Sequence, residues 1–522
     1  MGSCWSKKNA EGSLSGNSHV HRSLRKSDFG QYEPKVLILG AGVAGLACAV
    51  ELKNNGLNNV RIVEMSDRIG GRVKTMKFAD NYIDLGAQWV YGESENLVWQ
   101  MADADELGKS DGTITNMNWI RSNGKKISQG VVDQMLKLIT TIYDNMEDSA
   151  IDPTITFGDY LSKMFDREVE KQNIRIDKKL AKEFIVTVKK MEGNMADTDM
   201  SAYNYWSFKP CDGSGLLNWR EKGFKQFLRH LVDGDDLNEH GVLKDCIDLN
   251  QRVREVEWDR PDGTVLVSCE KEKYSADHVV ITVSLGVLKH SSTLFRPTLP
   301  DAHCKAINSM GFGNVCKIFV EFQEKFWPED WRGFNALWRE QDMPAQPWLK
   351  DIYGFHVYDH QPRVLLGWAC GFHVEGIETM KHSALVEGVV YMLKHFLPHF
   401  KVRRPNNLVI SKWGADPAHY GSYSYPSVLA TENDTGPEKL AQPIHVQVAV
   451  SRQPSDMSIS STSLGRPISA RPVLFFAGEA TSSDHYSTVH GAVESGIREA
   501  ERIISFYRSS IYSAYSNNKL RL

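Results

Sequence analysis

Val36-Leu37-Ile38-Leu39 runs directly into Gly40-Ala41-Gly42-Val43-Ala44-Gly45, and this junction constrains the fold more tightly than any other stretch of the chain. Four consecutive apolar residues predict a strand buried on both faces of a parallel sheet. The spacing Gly40-x-Gly42-x-x-Gly45 then serves three needs. Gly40 permits a tight turn, Gly42 lets the backbone approach a pyrophosphate, and Gly45 lets the following helix pack on the strand. That helix is predicted to run to Asn54-Asn55-Gly56, where Gly56 stops it. A second strand, Val60-Arg61-Ile62-Val63, ends at Glu64. The result is a βαβ unit within about thirty residues, with a helix N-terminus ready to receive phosphate. Glu64 is placed to bind ribose hydroxyls, and an acid there favours a free 2′-OH. The ligand implied is FAD or NAD rather than NADP, with Gly40, Gly42, Ala44, Gly45 and Glu64 as its first contacts.

Two further segments separate these candidates. Arg68-Ile69-Gly70-Gly71-Arg72 follows the acid directly, and paired glycines beside an arginine suit close approach to a second anionic group, with Gly71 and Arg72 nearest to it. Far along the chain, the apolar run Val473-Leu474-Phe475-Phe476 leads into Ala477-Gly478-Glu479-Ala480-Thr481, a second set of backbone donors at a strand end. A nicotinamide enzyme has no need of this distant cradle, so the pattern implies FAD.

The organisation follows from these anchors. Residues 1–34 are polar and rich in Ser and Gly and are expected to form a disordered arm. Segments 35–94, 230–300 and 440–510 are assigned to a doubly wound α/β FAD domain, with strands at Val253–Trp258, Thr264–Cys269 and His278–Val283, a Ser-rich loop over 451–472 and a helix over about Gly491–Ile504. Segments 95–229 and 301–439 are assigned to a mixed α+β substrate domain, largely helical from Glu95 to Lys225, and 511–522 form a tail. The net charge of -4 gives no reason to expect nucleic acid. Eight cysteines are scattered without a CxxC pair, which argues against a zinc site and a disulfide framework and points to a reducing compartment. No metal is expected. No apolar run approaches the roughly 18 residues that span a bilayer. The first six residues, Met-Gly-Ser-Cys-Trp-Ser, fit an N-myristoylation pattern with Gly2 as acceptor and Cys4 as a possible second acylation site, so a cytoplasmic enzyme tethered at a membrane surface is a specific expectation.

With these motifs in view, the chain from about Lys35 to Phe506 resembles the flavin-containing amine oxidases, and within them the polyamine (spermine-type) oxidases. The resemblance rests on GAGVAG with Glu64, RIGGR, Asp84-Leu85-Gly86-Ala87-Gln88-Trp89, DHVVITVSLGVL from Asp277, Cys316-Lys317-Ile318-Phe319, Trp413-Gly414 with Tyr423, and GEATSSDHYSTVHGAVESG. It implies hydride transfer from a secondary amine of a polyamine or acetylated polyamine to flavin, with O2 as acceptor and H2O2, an aldehyde and an amine as products. By position, Val253 matches the residue whose backbone meets the adenine. Gly86, Ala87, Gln88, Trp89 and Trp413 match flavin-lining residues, and Glu479, Thr488 and Val489 those on the ribityl and pyrimidine side. Lys317 matches the family lysine that reaches the flavin through a water and is the one catalytic candidate. Tyr423 and Tyr425, with Trp89 and Trp413, are expected to cage the amine.

The pattern departs from the animal polyamine oxidases at two places. Tyr91 stands where they carry His, and Tyr205 stands where they carry Glu, while Ser207 keeps a hydroxyl. All three belong to the expected substrate set, yet a tyrosine brings no negative charge at neutral pH, which weighs against spermine. A monoamine oxidase is the first alternative. Those enzymes attach FAD through a Cys at the position of Ser422, so non-covalent FAD is expected here. A non-catalytic flavin-binding protein is the alternative from another class. The sequence does not set an oligomeric state.

Overall fold

The computed structural model describes residues 33–103, 105–110, 117–146, 150–172, 176–193, 198–234, 240–449 and 468–519. Gly2, Cys4 and most of the expected arm lie outside these residues, as do 451–467 of the Ser-rich segment.

Val36–Leu39 sits inside a six-stranded sheet of order Ile444–Ala449, Ile468–Phe476, His278–Ile281, Val36–Leu39, Val60–Val63, Ile247–Asp248. Neighbours are parallel except for the first pair. Ile38 stands opposite Ile62 on one side and Val280 on the other. Its strand is no more than 2% exposed at any residue, as an uninterrupted apolar run demands of a strand covered on both faces. One face is covered by the helices Val43–Asn54 and Val489–Lys519. They pack backbone to backbone, since a Cβ on Gly496 would lie 2.2 Å from the Ala44 carbonyl oxygen. The other face packs on a smaller sheet, with Val256, Val265 and Val267 against Leu37, Leu39 and Val279. This is the doubly wound α/β architecture the sequence implied.

The second layer carries a six-stranded sheet of order Asn407–Ile410, Val315–Glu321, Val364–Cys370, Ile352–Val357, Gly333–Leu337, Asn118–Arg121. Against it stand three helices, Gln129–Met146, Phe157–Lys171 and Lys178–Glu192. Thr156 caps the second by accepting from the Asp159 N–H at 3.2 Å, and Asp177 caps the third through the Leu180 N–H at 2.9 Å. Apolar residues at helical spacing give each a buried stripe, such as Met135, Leu138, Ile139 and Ile142 on the first. The third helix ends at Glu192, before Gly193 with φ +155°.

Three expectations need correction. The strand into Phe476 begins at Ile468 rather than at 473, because Ile468–Pro472 pairs antiparallel with 445–449. Low hydrophobicity over 451–472 hides its first residues, which the composition assigns to the Ser-rich loop. The last helix runs from Val489 to Lys519, absorbing most of the tail expected from 511, since no Gly or Pro follows Gly496 to stop it. Within the stretch read as mostly helical, Asn118–Arg121 is a strand, paired in parallel with Gly333–Leu337. Its four residues are too few to show a period. No helix among the described residues is long and apolar enough to cross a membrane.

Candidate active site

The parallel strands end at a cavity of about 540 Å3. Gly40, Glu64, Thr282 and Gly478, each following a strand, line one part of it, and Lys317 and Trp368 from the second sheet line another. Ligands of open α/β sheets bind at such strand ends.

The glycine turn is shaped as the spacing required. Gly40 has φ +113°, and a Cβ on Gly45 would lie 2.1 Å from the Gly40 carbonyl oxygen, so helix and strand touch there. Gly42 differs: a Cβ there would meet nothing within 4 Å, so the space before it is open. Gly478 is open in the same way. Glu64 accepts from the Ala41 N–H at 2.7 Å through Oε2 and from the Ser66 N–H at 2.8 Å through Oε1. Each oxygen keeps a lone pair for a hydroxyl from the cavity it lines. An open phosphate-sized approach, a helix N-terminus and a fixed carboxylate fit an adenine dinucleotide.

The RIGGR segment closes back on this turn. Gly70 N–H donates to the Ala41 carbonyl at 2.8 Å, and a Cβ on Gly71 would lie 3.1 Å from Gly42 Cα. Arg68 ties the turn by donating to the Gly71 carbonyl at 2.6 Å. Arg72 is anchored from the protein side through one guanidinium nitrogen. Its Nη1 donates to Glu479 Oε1 and to the Ser422 carbonyl, both at 2.8 Å. Glu479 Oε2 accepts from Ser424 Oγ at 2.6 Å and from the Ser487 N–H at 2.9 Å. The pair therefore knots the RIGGR turn to Ser422 and the strand Tyr423–Tyr425 and to the C-terminal motif at the cavity wall. Ser422 Oγ donates to Asn314 Oδ1 at 3.1 Å and accepts from the Val315 N–H at 2.9 Å.

Lys317 is 4% exposed, in the middle of Val315–Glu321 and opposite Trp368. Its Nζ donates to the carbonyls of Asp84 at 2.9 Å and Gly86 at 2.7 Å, and to Gln88 Oε1 at 2.9 Å. It also stands 4.8 Å from the Trp368 ring, which stacks on Trp89 at 5.3 Å. Burial lowers the Lys317 pKa to about 7, with Asp84 opposing the shift. Burial likewise raises Asp84, against the hydrogen bond from Thr75 and the nearby lysine charge. An ammonium at Nζ would spend all three protons on its three protein acceptors. The neutral amine frees a lone pair, and only that form can take a proton from a water in the cavity. Gly86 is fixed by the same junction, because a Cβ on it would sit 1.7 Å from the Arg72 carbonyl oxygen.

The rest of the wall is aromatic: Tyr91, Tyr205, Trp413, Tyr423, Tyr425 and Tyr486 all line the cavity. Among them sits a carboxylate. Glu192 is 9% exposed and accepts from Tyr143 OH at 2.6 Å and from Tyr205 OH at 3.0 Å. No Lys or Arg pairs with it among the described residues. It ends a helix, where the dipole disfavours an anion. Burial, and after it the nearness of Cys370, Tyr91 and Glu192, raises the Tyr423 hydroxyl well above its ordinary range. Tyr425 commits its hydroxyl to Asp199 Oδ2 at 3.1 Å and offers the cavity its ring.

Residues 43–504 match the sequence profile of the flavin containing amine oxidoreductase family. The chain belongs to that family. Among curated relatives, the peroxisomal N(1)-acetyl-spermine/spermidine oxidase of Bos taurus is 28% identical over 91% of this chain and 95% of that protein. Probable polyamine oxidase 5 of Arabidopsis thaliana is 25% identical over 91% and 98%. Among solved structures, wild-type putrescine oxidase bound to putrescine superposes with a TM-score of 0.64 at 18% identity, covering 91% of this chain and 99% of that one. This amine oxidoreductase uses FAD, and Glu64, the open glycines and the second cradle at Gly478 are the groups that would hold it. Bound FAD supplies the hydride acceptor.

Most of the residues singled out from the sequence of this flavoenzyme meet at one place. Gly40, Gly42, Ala44, Glu64, Gly71, Arg72, Gly86, Ala87, Gln88, Trp89, Val253, Trp413, Glu479, Thr488 and Val489 line the cavity, and so do Lys317, Tyr91, Tyr205, Tyr423 and Tyr425. Gly45 lies beneath the turn and acts on it through packing. Ser207 is exposed, donates to the Asn204 carbonyl at 2.7 Å, and meets the cavity wall through the Tyr486 hydroxyl rather than lining it directly. The missed residues are Glu192 and its partner Tyr143. Glu192 falls four residues after Val188 on the buried stripe of its helix, a periodic signal that was legible. The inference that this part of the site lacks a carboxylate because Tyr205 replaces Glu is corrected with it. The carboxylate comes from the neighbouring helix, and Tyr205 donates to it.

Proposed function

We propose that the enzyme oxidises a polyamine or acetylated polyamine at a secondary amine, choosing substrates that carry a second, cationic nitrogen. The observation that carries this is the pairing, in one aromatic-walled cavity, of a buried lysine with a buried carboxylate whose partners among the described residues are tyrosine hydroxyls. A buried carboxylate without a cation is costly, and a substrate ammonium relieves that cost. Glu192 would take the distal charge while Trp and Tyr faces flank the alkyl chain and exclude water. Lys317, whose neutral form becomes available as pH rises through about 7, would then accept a proton through water and keep the reacting nitrogen unprotonated, since only a free lone pair drives hydride departure from the adjacent carbon. The balance is a secondary amine, O2 and water giving an aldehyde, a primary amine and H2O2. The name of the Bos taurus relative, an oxidase of N(1)-acetylated spermine and spermidine, supports the same class.

Steady-state turnover tests this reading. Peroxide release and product masses would be compared for spermidine, an N-acetylated spermine, putrescine and benzylamine. Faster turnover of spermidine and the acetylated spermine, with cleavage at the secondary nitrogen, supports the proposal; a preference for putrescine, which has only primary amines, contradicts it, and a preference for benzylamine makes the enzyme a monoamine oxidase.

We further propose that the enzyme is cytoplasmic, held to a membrane surface through acylated Gly2 and Cys4. One myristoyl chain binds only marginally, and Cys4, Lys7 and Lys8 offer the second signal. Equal solubility of wild type and Gly2→Ala on cell fractionation would remove the tether.

A further inference from the structure

We propose that Cys211, His485 and His490 form a zinc site at the wall of the amine cavity. Their donor atoms all lie within 4.8 Å of one another, and Cys211 Sγ is 3.9 Å from His490 Nε2. Tetrahedral zinc with ordinary bond lengths needs a sulfur-to-nitrogen separation of about 3.5 Å, so small side-chain shifts close the site. One thiolate and two imidazoles are the donor set zinc prefers over the oxygen-seeking cations.

The histidines are held ready for this. His485 Nδ1 bonds Glu494 Oε2 at 2.7 Å, the carboxylate-histidine arrangement that orients a metal-binding ring and strengthens its other nitrogen as a donor. His490 is 2% exposed, and its Nδ1 lies 3.5 Å from Asn96 Nδ2, a separation too long to fix the ring's tautomer. The cysteine arrives from a different segment, and contacts that need no metal align it. Lys209 N–H donates to the Asp484 carbonyl at 2.8 Å, its Nζ pairs with Asp484 Oδ2 at 2.9 Å, and Phe208 meets Tyr486 edge-on at 5.5 Å. The three donors come from positions 211, 485 and 490, a spacing that no short metal-binding motif marks.

Cys211 and Tyr486 both line the cavity, so zinc would tie the 208–211 segment to the start of the last helix at the cavity wall. A water would complete the tetrahedron, since three protein ligands leave one position open.

The test uses the FAD-loaded enzyme, stripped with EDTA and titrated with zinc against a chromophoric chelator, then with cobalt(II). One zinc per chain is expected, with affinity lowered roughly tenfold or more in Cys211→Ser, His485→Ala and Glu494→Gln. Cobalt should give intense tetrahedral visible bands and a thiolate charge-transfer band that Cys211→Ser abolishes. The flavin spectrum and far-ultraviolet circular dichroism check that each variant is folded, and the wild-type cobalt spectrum reports thiolate ligation by itself. Equal zinc binding by wild type and folded variants, or wild-type cobalt bands that are weak and lack the thiolate transition, overturns the site and leaves a hydrogen-bonded cluster.

Discussion

Lys317 and Glu192 divide the chemistry of the cavity between them, and each makes a separable prediction. Burial holds Lys317 near pKa 7, far below an exposed lysine. Below that pH the ammonium dominates and has no lone pair; as pH rises through about 7 the neutral amine forms. Flavin reduction at saturating amine should therefore rise with pH across this window. Lys317→Met should remove that ionisation and slow reduction by roughly a hundredfold while FAD stays bound. Anaerobic stopped-flow traces across the pH range read both. For Glu192→Gln the loss is of binding: KM for amines with a second charge should rise roughly tenfold or more with kcat little changed, whereas a singly charged amine should shift less. Tyr205→Glu, which sequence comparison would offer as a gain of charge, should weaken binding. It removes the hydroxyl that donates to Glu192 and sets a second carboxylate against it. Lys317 was legible in the sequence because its motif is local. Glu192 was not singled out, because its meaning depends on Tyr143 and Tyr205, which the fold brings to it from 49 and 13 residues away.

At the level of elements, the glycine turn separates two kinds of constraint that the motif alone merges. Gly45 packs against the Gly40 carbonyl, so Gly45→Ala forces strand and helix apart and should cost about 3 kcal/mol or more of stability with or without FAD. Gly42 faces open space, so Gly42→Ala should leave the flavin-free protein as stable as wild type yet lose FAD, because the new methyl takes the room a phosphate needs. Thermal melts of both variants, with and without added FAD, distinguish these outcomes. The parallel strands and the turn were readable because an apolar run, a glycine spacing and an acid all point the same way. Ile468–Pro472 and Asn118–Arg121 were not readable, since their strand character comes from partners at 445–449 and 333–337 rather than from their own pattern.

On the scale of the whole molecule, the cavity wall is assembled from segments far apart in the chain. Gly40, Lys317 and Glu479 meet across it, and the Arg72–Glu479 pair fastens two of these regions. FAD at a hundredfold excess over its Kd should add about 2.7 kcal/mol of stability, visible as a higher melting temperature. It should leave the protein on acid precipitation, since Ser422 stands where a cysteine would be needed to hold it. The account rests most heavily on the cavity being a place where amines reduce flavin, with a second charge recognised by Glu192. Anaerobic mixing of wild type and Glu192→Gln with spermidine and with benzylamine, following oxidised-flavin absorbance, tests this directly. The account predicts that spermidine bleaches wild type at lower concentration than benzylamine and that Glu192→Gln erases the advantage. Flavin that stays oxidised with every amine, or a spermidine advantage that survives the substitution, would contradict it.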